Sequence, residues 1–131
     1  MNINESIYTR TEMMLGKDAL DKLKGSHVAV FGVGGVGGYA VEALARSGVG
    51  TLDLIDNDRV APSNINRQLV ALQSTVGCPK VEVMAERIRD IDPAITVETR
   101  QCFFDETNAD SFDFSAYSYV IDAIDTVSAK V

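Results

Sequence analysis

Apolar residues in this chain come in short continuous runs separated by longer stretches where they return every three or four positions. Val28-Ala29-Val30-Phe31 is the first continuous run and predicts a buried strand. A glycine cluster follows at once, at Gly32, Gly34, Gly35, Gly37 and Gly38. Val36, Ala40 and Leu44 then recur at a spacing of four, which predicts a helix ending near Gly48. Thr51 to Asp56 reads as a second strand. Asn57 to Gln68 is too polar for a core element, although Ser63 or Asn64 is placed to cap a short helix running to about Leu72. Gly77 marks a turn, and Pro79 suits the first turn of another helix. On that helix Val81, Met84, Ala85, Ile88 and Ile91 share a face, and Pro93 follows its end.

Ile95 to Gln101 alternates apolar and polar, as a half-exposed edge strand does. Phe103 to Asp113 is a connection with room for a short helix, and Ser118 to Asp122 reads as a buried strand. Residues 1–26 form a helical lead-in whose apolar anchors are Met13, Met14, Leu15, Leu20 and Leu23. Strands alternating with helices specify an α/β fold with a parallel, Rossmann-like sheet and helices on both faces. Right-handed crossovers and the half-exposed third strand favour the order 3-2-1-4. That order puts the first and fourth strands side by side, and ligands bind in the crevice between their carboxyl ends.

Composition narrows the class. The 131 residues suit one domain, and 46% of them are apolar, enough for a core. No apolar run approaches the roughly 20 residues of a membrane span, so no membrane contact is expected. The net charge of −7 argues against a broad nucleic-acid footprint on this segment. Cys78 and Cys102 form no metal knuckle and no disulfide framework, and read as buried free thiols in a reducing cytoplasm. His27, the one histidine, is expected to be a polar residue at a strand end.

The chemistry concentrates after the first strand. Gly32 allows a sharp turn, Gly34 and Gly35 leave space for a phosphate, and Gly37 lets the helix pack close to the strand. The helix N-terminus then presents N–H groups and positive dipole charge to an anion. Asp56, 19 residues after Gly37, is suited to the two hydroxyls of a ribose or, in the plainer reading, to capping the next turn. Lys80 in a first helical turn is a phosphate candidate, because a cation there is unfavourable without an anion nearby. Arg67 is expected near the same crevice, with Asp122 and Asp125 at the end of the fourth strand. Asp125 is a hard oxygen donor suited to magnesium. A dinucleotide pyrophosphate carries about two charges and needs only the helix end, whereas a triphosphate carries about four and needs the added cations.

These residues resemble the ubiquitin-activating-like adenylating enzymes, a family that includes the adenylyltransferases of molybdopterin and thiamine biosynthesis. GVGGVG, LIDNDRV, SNINRQ, VGCPK, IDP and VIDAID carry the resemblance in that order along nearly the whole chain. It implies that ATP and Mg2+ bind here, with Gly35 against the nucleotide and Asp56 on the ribose. It further implies Asn64, Arg67 and Lys80 on the phosphates, Asp58 and Ser63 lining the nucleotide site, and Asp125 on the metal. Arg10 matches the position that reaches across a homodimer into the partner's site; on composition alone it is equally a solvated charge. RTEMMLG, EALARSGVG, INRQLVAL and QSTVGCPKVEVMAERI are most similar to the branch that dehydrates threonylcarbamoyladenosine in tRNA. That branch uses ATP to activate the threonyl carboxylate at tRNA position 37, after which the carbamoyl group closes a ring.

Three other readings compete. One is an adenylating enzyme for the C-terminus of a sulfur-carrier or ubiquitin-like protein, with a sulfur-relay partner. Another is an NAD-dependent oxidoreductase, which leaves Asn64, Arg67 and Lys80 without a task. The third is a non-catalytic interaction module. Members of the resembled family are longer, so these residues are expected to be the N-terminal, ATP-binding part of a larger domain. The edge of the fourth strand is then expected to be apolar or covered by another chain.

Overall fold

The computed structural model describes residues 6–102 and 114–124. The elements are α1 (Thr9–Leu15), α2 (Lys17–Lys24), β1 (His27–Phe31), α3 (Gly35–Ser47), β2 (Thr51–Ile55), α4 (Lys80–Ile91), β3 (Thr96–Arg100) and β4 (Tyr119–Asp122). Short 3-10 turns cover Pro62–Asn64 and Phe114–Ala116. The four strands form one sheet in the order β3-β2-β1-β4, with every neighbouring pair parallel. This is the Rossmann-like α/β arrangement that the alternation of runs predicted.

The strand period of two sorts the side chains onto two faces. Val28 and Val30 of β1 and Leu52 and Leu54 of β2 join Val41, Ala45, Val81, Met84, Ala85 and Ile88 in the main core under α3 and α4. Ala29, Phe31 and Ile55 form a smaller cluster on the other face, backed by Cys102, Tyr117 and Ile124. Phe114 stacks on Phe31 with ring centroids 6.0 Å apart. The expected connection at 103–113 lies outside the described residues, as does the helix expected after β4.

Several expectations about local packing are corrected. Val36, at the start of α3, is 79% exposed, whereas Gly37, Gly38, Val41 and Ala45 form the buried face. The stripe is rotated by one residue because two glycines, not the larger side chains, face the strand. Met13, Met14 and Leu15 do not anchor the lead-in; they are 82, 84 and 55% exposed. Leu20 is buried and Leu23 packs against the core, as expected of anchors, and Tyr8 is buried in addition. The short helix expected to reach Leu72 closes after one 3-10 turn at Asn64. β4 is not buried: Tyr119 is 71% exposed and Val120 40%, because only β1 pairs with this strand among the described elements. Its apolar character matches the expected edge.

Polar contacts tie the helices together away from the carboxyl ends of the strands. The Tyr8 hydroxyl donates to Asp92 Oδ2 at 2.7 Å and lies 3.2 Å from the Ala45 carbonyl oxygen, linking the lead-in to the ends of α3 and α4. Glu42 accepts two bonds from Arg87, at 2.7 and 3.0 Å, across the α3–α4 contact. The bonds from Arg87 hold the Glu42 carboxyl below its ordinary range, against the opposing effect of burial. His27 Nε2 sits 2.8 Å from Asp53 Oδ1, and its ring meets Tyr117 edge-on, so it is the strand-end polar residue expected.

Tyr8 is the anchor to test. Burial, and then its bond to the Asp92 carboxylate, push its phenol well above the ordinary tyrosine value. A raised value means that the neutral phenol stabilises the fold; this contribution is whole below pH 10 or so and is lost as pH climbs toward the folded-state value. Tyr8→Phe should cost about 1 kcal/mol at pH 7 in urea unfolding. The difference between the two proteins should stay constant to about pH 10 and shrink above it.

Candidate nucleotide site

β1 ends at Phe31, and the chain reverses through Gly32 into α3. Gly32 has φ 90°, and a Cβ there would lie 2.7 Å from the Ala123 carbonyl oxygen after β4. A Cβ on Gly37 would overlap the Gly32 carbonyl oxygen itself. These two positions therefore require glycine for the turn and for the close seating of α3 on β1. Val33 N donates to Asp56 Oδ2 at 2.9 Å, which ties the glycine loop to the end of β2.

A crevice of about 500 Å³ opens above this loop, between the carboxyl ends of β1 and β4. Gly32, Gly34, Gly35, Asp56, Asp58, Arg67, Lys80 and Asp122 all line it. The glycine loop, the β2 carboxylate and both expected cations thus meet in one place. Lys80 opens α4 and is buried, with 6% exposed, and its Nζ is 3.7 Å from Asp58 Oδ2. A buried ammonium at the positive end of a helix, with one long contact to a carboxylate, is a charge that calls for an anion. The guanidinium of Arg67 is steadied by bonds from Nη1 to the Ser63 carbonyl at 2.9 Å and to Asn66 Oδ1 at 2.8 Å. Its Nε and Nη2 donors are not used in those bonds.

Other residues stand differently from expectation. Asp56 spends one oxygen on Val33 N and the other on Asp58 N, at 2.9 and 2.8 Å, so it does cap the turn. Each oxygen keeps a second lone pair for a ribose hydroxyl. Gly35 leaves open space around its missing Cβ, as a phosphate would need. Gly34 does not: a Cβ there would meet Gln68 Oε1 at 2.8 Å and Lys80 Nζ at 3.1 Å, so the glycine makes room for the protein's own side chains. Ser63 and Asn64 lie outside the crevice lining. Asn64 Oδ1 accepts from Ala61 N at 2.8 Å and shapes the loop that carries Arg67.

Asp125 lies outside the described residues. Among the described residues no group of three or more His, Cys, Asp or Glu could hold a metal ion, and no helix is long and apolar enough to cross a membrane. Cys78 is exposed, not buried, because it sits in the polar turn before α4; Cys102 is half-buried at the crevice wall. Arg10 is exposed on α1, two residues from Tyr8. Tyr8 meets the carboxyl-terminal ends of α3 and α4, whereas the crevice meets their amino-terminal ends. Arg10 is therefore separated from its own crevice by roughly the 20 Å length of α3. Asp122, expected at the end of the fourth strand, does line the crevice. Gln68 lines it without having been expected, because the polar side chain beside Arg67 carries no pattern that marks it.

A parallel sheet with a glycine-bearing turn, flanked at its switch point by a buried lysine and an arginine, defines a Rossmann-like α/β protein with a cationic crevice suited to an anion. The chain belongs to the ThiF family, which it matches over residues 8–131. It is 51% identical over 124 residues to a tRNA threonylcarbamoyladenosine dehydratase of Bacillus subtilis, covering 95% of this chain and 49% of that protein. The crystal structure of the Escherichia coli tRNA N6-threonylcarbamoyladenosine dehydratase superposes with a TM-score of 0.92 at 46% identity, over 95% of this chain and 52% of that one. The same E. coli enzyme in complex with ATP gives a TM-score of 0.91 at 46% identity, over 94% of this chain and 51% of that one. The chain spans about half the length of the curated relatives it matches.

The seating of α3 has a direct test. Gly37→Ala forces a side chain into the Gly32 carbonyl and should cost about 3 kcal/mol or prevent folding, as overpacking of a filled site does. Urea unfolding with circular dichroism reads the loss. Gly35→Ala meets no neighbour, so only its φ of 35° strains it, and it should cost distinctly less, about 1 kcal/mol.

Proposed function

We propose that this chain forms the ATP-binding part of an enzyme that activates a carboxylate, the threonyl carboxylate of N6-threonylcarbamoyladenosine at position 37 of tRNA. One observation carries the reading: Arg67 and a buried Lys80 face the same crevice as the glycine loop. Two cations beyond a helix N-terminus exceed what a dinucleotide pyrophosphate needs and suit a triphosphate. The 51% identity to a tRNA threonylcarbamoyladenosine dehydratase supplies the substrate.

ATP, when bound, supplies an electrophilic phosphorus and a pyrophosphate leaving group. The chain's own residues offset charge as the substrate carboxylate approaches the polyphosphate, which is the main electrostatic task of such a step. Lys80 does this from beneath the glycine loop, and Arg67 from the crevice wall. Asp56 orients the ribose. Asn64 and Ser63 act by holding the Arg67 loop, and Asp58 by its contact with Lys80. The activated carbonyl is then attacked by the carbamoyl group, which closes a ring, releases a proton and expels AMP carrying the former carboxylate oxygen, so that the substrate loses the elements of water. Magnesium accompanies the triphosphate; Asp58 and Asp122 at the crevice are hard oxygen donors of the kind it takes, and Asp125 is its proposed ligand.

A second copy of the chain completes the site in this reading. Arg10 stands at the wrong end of its own subunit, and the helix that carries it also exposes Met13, Met14 and Leu15. A homodimer would cover that apolar surface and bring Arg10 to the partner's crevice. The tRNA contacts belong to the part of the enzyme that the longer relatives contain, since this segment is acidic. The setting is cytoplasmic.

Lys80→Met keeps the buried stem and removes the charge; Arg67→Ala removes the guanidinium. Each should weaken Mg-ATP binding at least tenfold in calorimetry while leaving the circular dichroism spectrum unchanged. Unaltered affinity in both would remove the cations from the proposal. ATP–pyrophosphate exchange by the full-length protein should be stimulated by tRNA bearing N6-threonylcarbamoyladenosine. Stimulation only by the C-terminal tail of a small carrier protein would assign the related adenylyltransferase activity, and preference for NADH over Mg-ATP would overturn the adenylating reading.

A further inference from the structure

Gln68 holds the one buried side-chain polar atom without a hydrogen-bond partner among the described residues, its Oε1. An acceptor buried in this way costs about 1–3 kcal/mol unless something satisfies it. The oxygen lies over Gly34, 2.8 Å from the point where a Cβ would stand, and Lys80 Nζ is 3.1 Å from that same point. An unpaired acceptor and an ammonium with donors to spare thus border the same point above Gly34, with no hydrogen bond between them. Lys80 has three donors, and its nearest carboxylate, Asp58, is 3.7 Å away. Gln68 also lines the crevice, and its Nε2 is neither buried nor bonded.

We propose that Gln68 is a positioning residue for the polyphosphate: its oxygen receives a hydrogen from the Lys80 ammonium while its amide nitrogen donates to a phosphate oxygen in the crevice. The inference rests on the reading of this crevice as an ATP site. A carboxamide suits the place because it accepts toward the lysine and donates toward the anion without adding charge. A carboxylate would accept from Lys80 equally well but would neutralise it and repel the phosphates. Gly34 is part of the same device, since a side chain there would push the amide and the ammonium apart. The orphaned oxygen is then a group that becomes satisfied when the anion arrives and draws Lys80 into line.

The test compares ATP with adenosine, which has no phosphate, on full-length wild type, Gln68→Met and Gln68→Glu by calorimetry. Gln68→Met should lower ATP affinity about tenfold and leave adenosine affinity within twofold. Gln68→Glu should lower ATP affinity further at pH 8, because its carboxylate neutralises Lys80 and repels the phosphates, and should leave adenosine affinity within twofold. A purely structural role would move both ligands together. A wild type that prefers ATP to adenosine, with both variants showing the same preference, would overturn this inference alone. A wild type that binds the two ligands equally would overturn the proposed function and this inference with it.

Discussion

Everything at the carboxyl end of the sheet depends on how closely α3 is seated on β1. The Gly37 Cα rests against the Gly32 carbonyl with no room for a methyl group. That contact fixes the direction in which α3 leaves the strand, and so where its first N–H groups point. The same turn is clamped from the neighbouring strands: Gly32 N donates to the Ile55 carbonyl and Ala123 N to the Phe31 carbonyl, each at 2.8 Å. Val33 N reaches Asp56 in addition. Three strand ends and one helix start are thereby locked into a single rigid rim. A rim of this kind suits a site whose work is electrostatic, because donors held in advance need not reorganise when charge develops.

Lys80 shows how the fold brings distant sequence to that rim. It is 43 residues beyond Gly37 and belongs to a different helix. Its backbone N–H donates to the Asp58 carbonyl at 3.0 Å, and Pro79 forms an isolated bridge with Arg59. The loop after β2 thus holds the start of α4 directly. Val81, Met84, Ala85 and Ile88 then drive the rest of the helix into the core. Burial of the lysine is a consequence: its neighbours on the helix are apolar and its Cα is fixed over the sheet edge. The core therefore does the work of burying a cation beside a helix N-terminus, where neither the dipole nor solvent favours it.

Much of this was legible in the sequence, for reasons that particular residues make plain. A continuous apolar run located β1, Leu52, Leu54 and Ile55 around a central Asp53 located β2, and the alternation of Ile95 to Gln101 located β3 as an edge strand, because burial on one or two faces writes directly into the pattern. The strand order followed from handedness and from that edge. Lys80 and Asp56 could be placed at one crevice because each stands at the end of an element whose direction the topology fixes; Arg67 lies in the loop that joins those elements. Two kinds of feature were not legible. Where a helix packs through its glycines, the larger side chains mark the wrong stripe, as Val36 does in α3. Where anchoring is a single polar contact over a long separation, as from Tyr8 to Asp92, no local spacing records it. Gln68 belongs to the second kind, since only its position over Gly34 distinguishes it from any polar residue in a loop.

The distribution of satisfied and unsatisfied polar groups separates the two ends of the molecule. At the amino-terminal end of the strands, His27 meets Asp53 and Tyr8 meets Asp92, and between the helices Arg87 meets Glu42 in two bonds. Each of these charges or hydroxyls has a partner within 3 Å of its own. At the carboxyl-terminal end, Lys80 has one distant carboxylate and Gln68 has an acceptor with nothing to accept. Folding alone gains nothing from leaving those groups unpaired, and an apolar pair of similar volume would be less costly to bury. Among the described residues, a fold that pairs its buried polar groups elsewhere and leaves its one unpaired buried acceptor beside the glycine turn has stored unmet hydrogen-bonding capacity where an anionic ligand can use it.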